Sequence, residues 1–156
     1  MSDVLIIGNG VAGDSAATVI SRTDRQLSVK VFSSEEYPFY QRTRLGEILS
    51  GESSPEDLVL HDKEWYEKRE IDLRLSTTIE EIDPPNKTVK TNSGSRFSYG
   101  KLLLAPGARP LVPPVKSINK GNVFSIRTLK DVLNIKSRLA GIDRAVVIGG
   151  GLLGLE

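Results

Sequence analysis

Apolar residues run unbroken from Val4 to Ile7, then give way to Gly8-Asn9-Gly10-Val11-Ala12-Gly13 and an Ala-containing segment. A short continuous apolar run predicts a strand buried on both faces of a parallel sheet. Behind it, Val11, Ala12, Ala16, Val19 and Ile20 recur at helical spacing and predict a helix over 11–21. Residues 27–32 give the second parallel strand. Pro55 and two acids after Ser54 mark a helix start, and residues 62–69 give a second short helix carrying Trp65 and Tyr66. The alternation in 71–75 gives a third parallel strand. The style then changes. Residues 79–82, 87–91 and 96–99 are short strands separated by Asp83-Pro84-Pro85-Asn86 and Asn92-Ser93-Gly94, too tightly joined for parallel crossovers and so an antiparallel meander. Residues 101–105 return to a buried apolar strand that stops at Pro106-Gly107. Pro110 to Pro114 reads as an extended connector, Thr128 caps a helix running to about Leu139, and Gly141 lies just past its end. Ala145 to Ile148, followed by Gly149-Gly150-Gly151-Leu152-Leu153-Gly154-Leu155-Glu156, repeats the opening arrangement. The fold class is therefore α/β, a Rossmann-like parallel sheet with a three-stranded antiparallel meander in one crossover.

The spacing of the first three glycines gives the turn its chemistry. Gly8 permits the tight bend, Gly10 lets backbone approach a pyrophosphate, and Gly13 lets the helix pack against the strand. Phosphates then meet unpaired N–H groups at the positive end of the helix. A sheet of this kind calls for an acid after the second strand to hold a ribose hydroxyl. Here Ser33-Ser34 comes first, so Glu35 is the candidate, against the plainer reading of a solvated loop acid. The aromatic loop Tyr37-Pro38-Phe39-Tyr40, with Arg42 and Arg44 behind it, either stacks on a flat ring or covers the core. His61, the sole histidine, has no cysteine or carboxylate at metal-ligand spacing and reads as a surface or capping residue.

Composition narrows the field only slightly. The 156 residues carry 21 Lys plus Arg against 20 Asp plus Glu, which gives no electrostatic reason to expect nucleic acid. No apolar stretch is long enough to span a bilayer, so no membrane partner is expected. The chain has no cysteine, which excludes a disulfide framework, a thiolate metal site or a redox-active cysteine pair within it and suits a cytoplasmic setting.

Taken together, Gly8 to Gly13, Tyr37-Pro38-Phe39-Tyr40-Gln41-Arg42, the meander leading into Leu104-Ala105-Pro106-Gly107-Ala108, and Gly149 to Glu156 resemble the FAD-binding part of the pyridine nucleotide-disulfide oxidoreductase superfamily. The likeness extends over essentially the whole chain. Within that superfamily the chain is most similar to the branch containing NADH:rubredoxin oxidoreductase, nitrite reductase flavoprotein and ferredoxin-reductase-like enzymes. The resemblance implies that Gly8, Gly10, Val11, Ala12 and Gly13 hold the FAD pyrophosphate. It places Glu35 at the adenosine ribose, backbone near Ile79 at the adenine, Arg42 along the flavin side, and Ala105 and Gly107 close to FAD. It names no catalytic side chain, and no metal. Three departures stand out: Pro106 where Thr is usual, the delayed acid Glu35, and Glu47 where many relatives have a Lys near the flavin.

The implied chemistry of the intact protein is electron transfer from NAD(P)H through FAD to an external acceptor, a redox protein or a small molecule, without a cysteine pair. The expected division is an FAD-binding domain over 1–143 and the first strand and turn of a truncated NAD(P)-binding domain over 144–156. A helix N-terminus needs a helix, so the chain is expected to be the N-terminal part of a longer protein, inactive alone, with the apolar edge of the strand at 145–148 leading to self-association, as in a homo-oligomer, or to disorder beyond about Asp143. The competing expectations are a non-catalytic nucleotide-binding or assembly module completed by another chain, and an ordinary NAD-binding dehydrogenase domain, which needs neither meander nor second turn.

Overall fold

The computed structural model describes residues 2–112 and 121–151. Two compact units emerge, one formed by residues 1–40 and 59–108, the other by 41–58 and 109–156.

The first unit is built on one sheet. Its strands are β1 (Ser2–Ile7), β2 (Val29–Phe32), β3 (Ile71–Arg74), β4 (Ile79–Asp83), β5 (Thr88–Thr91) and β6 (Arg96–Leu104), in the order β3-β2-β1-β6-β5-β4. β1 pairs in parallel with β2 and β6, and β2 with β3, while β4-β5-β6 is antiparallel. The expected mixed architecture is present, with one economy. The third meander strand and the strand expected at 101–105 are a single strand. β6 pairs with β5 through Arg96, Phe97 and Ser98, then with β1 from Tyr99 to Leu104. Nothing separates the two roles, because the chain needs no turn to serve different neighbours on opposite edges.

The alternation within β1 explains why it is apolar throughout. Val4 and Ile6 face a core formed with Ala17, Val29, Val31, Tyr66 and Ile71. Leu5 faces the other way, into a core with Phe32, Val89 and Tyr99. The helices responsible for the first face are α1 (Val11–Thr23) and α3 (Lys63–Glu67), the latter capped by Asp62, whose carboxylate accepts from Trp65 N at 2.8 Å. On the second face Phe32 meets Phe97 edge-on at 5.1 Å, a favourable geometry for aromatic quadrupoles. Full burial of each such side chain stabilises the fold by about 1.5–3 kcal/mol. The burial expected for 101–105 is incomplete, since Leu103 and Leu104 are exposed.

The second unit contains α2 (Leu45–Ser50) and α4 (Leu129–Lys136), which pack together and bury Leu45, Ile48, Leu129 and Val132. α4 begins as predicted with Thr128 and carries a full capping box with Asp131. It ends at Lys136, short of Leu139, and Gly141 adopts the left-handed conformation, φ 77°. The start expected at Ser54 yields only one 3₁₀ turn, Glu56–Leu58. Ser54 does not cap it: the Asp57 carboxylate instead accepts from Ser54 N at 2.8 Å and from its hydroxyl at 2.7 Å. The strand expected at 145–148 is absent. Val146, Val147 and Ile148 are exposed and without regular structure, because among the described residues no neighbouring strand offers the hydrogen bonds that would hold them extended. Leu152 to Glu156 of the second glycine turn lie outside the described residues.

Candidate functional site

The carboxyl ends of β2, β1 and β6 lie side by side, and the chain leaves all three there. β1 turns at Gly8, whose N–H donates to Phe32 O at 2.8 Å. Its φ of +107° is open only to glycine without strain, and a Cβ would sit 2.0 Å from Ala105 O. At Gly13 a Cβ would lie 1.9 Å from Gly8 O. These two glycines are therefore packing requirements: one lets β6 close on the turn, the other lets α1 close on it.

Gly10 is different. It is the N-cap of α1, with φ −84° and ψ −170°, and a Cβ there would meet nothing within 4 Å. The first intrahelical bond of α1 is Asp14 N to Gly10 O at 2.9 Å, so the N–H groups of Val11, Ala12 and Gly13 have no helical acceptor, and Gly10 has no side chain to cap them. Val11 and Ala12 are exposed. Open space, free donors and a positive helix end coincide at this point, an arrangement suited to the pyrophosphate of a dinucleotide.

The remaining sequence candidates group around this edge. Glu35 follows β2 through Ser33, whose N donates to Arg74 O at 2.9 Å. The Glu35 carboxylate accepts from the Tyr40 hydroxyl at 2.6 Å, which fixes its orientation. The segment before β4 is tied to the same place: Ser76 N donates to Glu35 O at 2.9 Å and Thr77 N to Ser33 O at 2.8 Å. Ile79, the first residue of β4, is thereby brought near Glu35 although far from it in the chain, and its side chain packs on the Leu5–Phe32 core. At the end of β6, Ala105 N donates to Ile7 O at 2.8 Å, and Gly107 has a φ of 73°.

Two candidates belong to the second unit. Arg42 lies in a 3₁₀ turn, Arg42–Arg44, and its Nη1 donates to Arg127 O at 3.0 Å. Glu47 is locked to Arg44: Nε to Oε1 at 2.9 Å, Nη2 to Oε2 at 2.7 Å, with Ser53 Oγ donating to Oε2 at 2.7 Å. Those hydrogen bonds lower its pKa from 4.5 to about 2. The residue is a carboxylate already neutralised by a fixed guanidinium, so it does not present an isolated negative charge to its surroundings.

A polar group behind the turn is not legible in the sequence. Asp14, in the first turn of α1, is buried, with 4 % of its side chain exposed. Its Oδ1 accepts from the Tyr66 hydroxyl at 2.6 Å and lies 3.0 Å from His61 Nδ1. Asn9 Nδ2 donates to the Tyr66 oxygen at 3.1 Å. His61 is thus not a surface or capping residue. It is half-buried, bonded to a carboxylate 47 positions away, and stacked on Trp65 at 3.6 Å. Tyr66 does pack in the core as expected, and its hydroxyl also makes hydrogen bonds there. Burial and the neighbouring carboxylate push the phenol well above its ordinary pKa, so it remains a donor.

The family model for pyridine nucleotide-disulphide oxidoreductases matches residues 2–156. The chain belongs to that family. Among curated relatives it is 34% identical over 154 residues to the assimilatory nitrate reductase electron transfer subunit of Bacillus subtilis, covering 98% of this chain and 20% of that one. It is 36% identical over 154 residues to the NADH-rubredoxin oxidoreductase of Clostridium acetobutylicum, covering 98% of this chain and 39% of that one. The crystal structure of NADH:rubredoxin oxidoreductase from the same organism superposes with a TM-score of 0.84 at 34% identity, covering 98% of this chain and 39% of that one. The chain thus spans roughly two fifths or less of the length of these relatives. The family, and the Rossmann-like fold with its meander, are as the sequence motifs implied.

Proposed function

We propose that the chain is the FAD-binding portion of an NAD(P)H-dependent flavoprotein oxidoreductase that passes electrons to an external acceptor. The observation that carries this reading is the open, uncapped N-terminus of α1 at Gly10, set at the carboxyl edge of the sheet. When bound, FAD supplies the redox chemistry. The chain supplies position: backbone N–H groups of Val11, Ala12 and Gly13 toward the pyrophosphate, the Tyr40-oriented carboxylate of Glu35 toward the ribose, and the ends of β4 and β6 as walls. Arg42 is assigned to the flavin side on the resemblance of its motif. Residues 144–156 are assigned to the opening of an NAD(P)-binding domain on the repeat of the glycine pattern.

The relatives' names support a redox protein as acceptor, since one reduces rubredoxin and another is an electron transfer subunit. A cysteine-pair mechanism within this stretch is excluded by composition, the chain having none. The test is to purify the chain with added FAD and record its visible spectrum after desalting, then add NADH without oxygen. Retained flavin absorbance that NADH does not bleach is the expected result. Uptake of NAD but not FAD would replace this reading with that of a plain nicotinamide-binding domain. Failure to bind any dinucleotide would favour the non-catalytic assembly module.

A further inference from the structure

A carboxylate is an odd neighbour for a helix end meant to attract phosphate. Asp14 lies one residue past Gly13, and its charge opposes that of an incoming pyrophosphate. A buried carboxylate is also costly unless hydrogen-bonded. The structure meets both difficulties with one group of side chains. Tyr66 donates to Asp14 Oδ1 at 2.6 Å, and Asn9, which sits between Gly8 and Gly10, donates to the Tyr66 oxygen at 3.1 Å. The turn is thereby pinned to α3 through Asn9, and the first turn of α1 is pinned to α3 through Asp14. His61 adds the element that a purely mechanical brace would not need. A carboxylate oxygen only accepts, so His61 Nδ1 carries the proton across the 3.0 Å contact. Neutral, the ring leaves the full charge of Asp14 beside the turn; protonated, it cancels it.

We infer that Asn9, Tyr66, Asp14 and His61 form a positioning latch behind the dinucleotide turn, and that the charge on His61 sets how strongly the turn attracts the pyrophosphate. This rests on the FAD reading above. Three aromatic rings and one carboxylate face His61. Phe39 lies 5.7 Å from it, Trp65 stacks at 3.6 Å, Tyr66 meets its ring edge-on at 6.3 Å, and Asp14 Oδ1 accepts its hydrogen bond at 3.0 Å. Arg69 is on Trp65 too, its guanidinium 3.9 Å from the ring centre, and Nη1 is committed to Trp65 O at 3.1 Å. Its contacts are with Trp65 and not with Asp14.

The experiment is an FAD titration of the full chain, followed by flavin fluorescence from about pH 5.5 to about 8, the span over which histidine changes charge. The pyrophosphate diester of FAD keeps its charge throughout. The unaltered chain is expected to bind about three- to tenfold more weakly at the upper end. His61→Gln, which keeps a donor but no charge, should bind at the weaker level with no pH slope. Asp14→Asn should bind at the tighter level, also without slope. Tyr66→Phe should weaken binding at every pH while keeping the slope, and without FAD should speed hydrogen exchange at the amides of Gly8 and Asp14, which donate to Phe32 O and Gly10 O at the two ends of the turn. A slope unchanged in His61→Gln, or weaker binding by Asp14→Asn, overturns the latch while leaving the flavin site standing. No binding by the unaltered chain at any pH overturns the flavin reading and the latch with it.

Discussion

Replacing Gly8 and Gly10 separately with alanine distinguishes a glycine needed for folding from one needed for a ligand. At Gly8 the backbone holds φ +107°, and the new Cβ would stand 2.0 Å from Ala105 O and 2.6 Å from Ala105 C. The conformation costs about 1–3 kcal/mol for a residue with a side chain. The collision is with backbone of the adjacent strand, which cannot swing aside as a side chain can, and overpacking of this kind costs about 1–3 kcal/mol more. Gly8→Ala should therefore lose about 2–6 kcal/mol, a large share of the 5–15 kcal/mol typical of a folded domain. Gly10→Ala meets nothing within 4 Å and keeps an extended backbone that alanine adopts freely. Reduced freedom in the unfolded chain and a slightly poorer N-cap oppose each other, leaving stability within about 1 kcal/mol of the unaltered chain. Its methyl group instead fills the space beside the free N–H groups. Losing even one hydrogen bond to a charged phosphate costs about 1.5–3 kcal/mol, so FAD should bind at least about tenfold more weakly. Urea unfolding can be followed through Trp65, the sole tryptophan, which sits in the same unit as the turn. The reasoning fails if Gly10→Ala unfolds as early as Gly8→Ala, or if it binds FAD as the unaltered chain does.

Two further outcomes follow from the packing and the charges. Phe32→Ala removes a fully buried ring that meets Phe97 at 5.1 Å and should cost about 3–5 kcal/mol in urea unfolding; a loss below about 1 kcal/mol would mean that the second face of the sheet is not a packed core. Glu47 has its pKa lowered from 4.5 to about 2 by Arg44 and Ser53, so its contribution to stability is fully present above about pH 4.5 and is lost as pH falls through about 2. Glu47→Gln should flatten that part of the acid limb in thermal melts against pH, and identical limbs would show that the ion pair does not couple to folding.

The arrangement of β1, the Gly8–Gly13 turn and α1 was legible in the residues because its causes are local. Four apolar positions bury a strand on both faces, and three glycines at fixed offsets satisfy one bend, one approach and one close packing. The meander was legible for the same reason, its turns being written in Asp83 to Asn86 and Asn92 to Gly94. Strand ends were less so: β2 starts at Val29 and not at Leu27, and β6 fuses two expected strands, because pairing partners decide where extension continues.

Only the fold could reveal what the pairing of distant segments creates. Nothing near His61 in the chain announces Asp14, and Tyr66 reads as an ordinary core aromatic until its hydroxyl is seen on a carboxylate 52 positions back. The apolar run Ala145 to Ile148 shows the converse. A sequence specifies that a segment is able to be a strand, but a strand exists only where another backbone meets its hydrogen bonds. Spacing along the chain thus determined the family, the sheet and the glycine turn. Tertiary contact decided which charges are buried, which are neutralised, and what stands behind the turn.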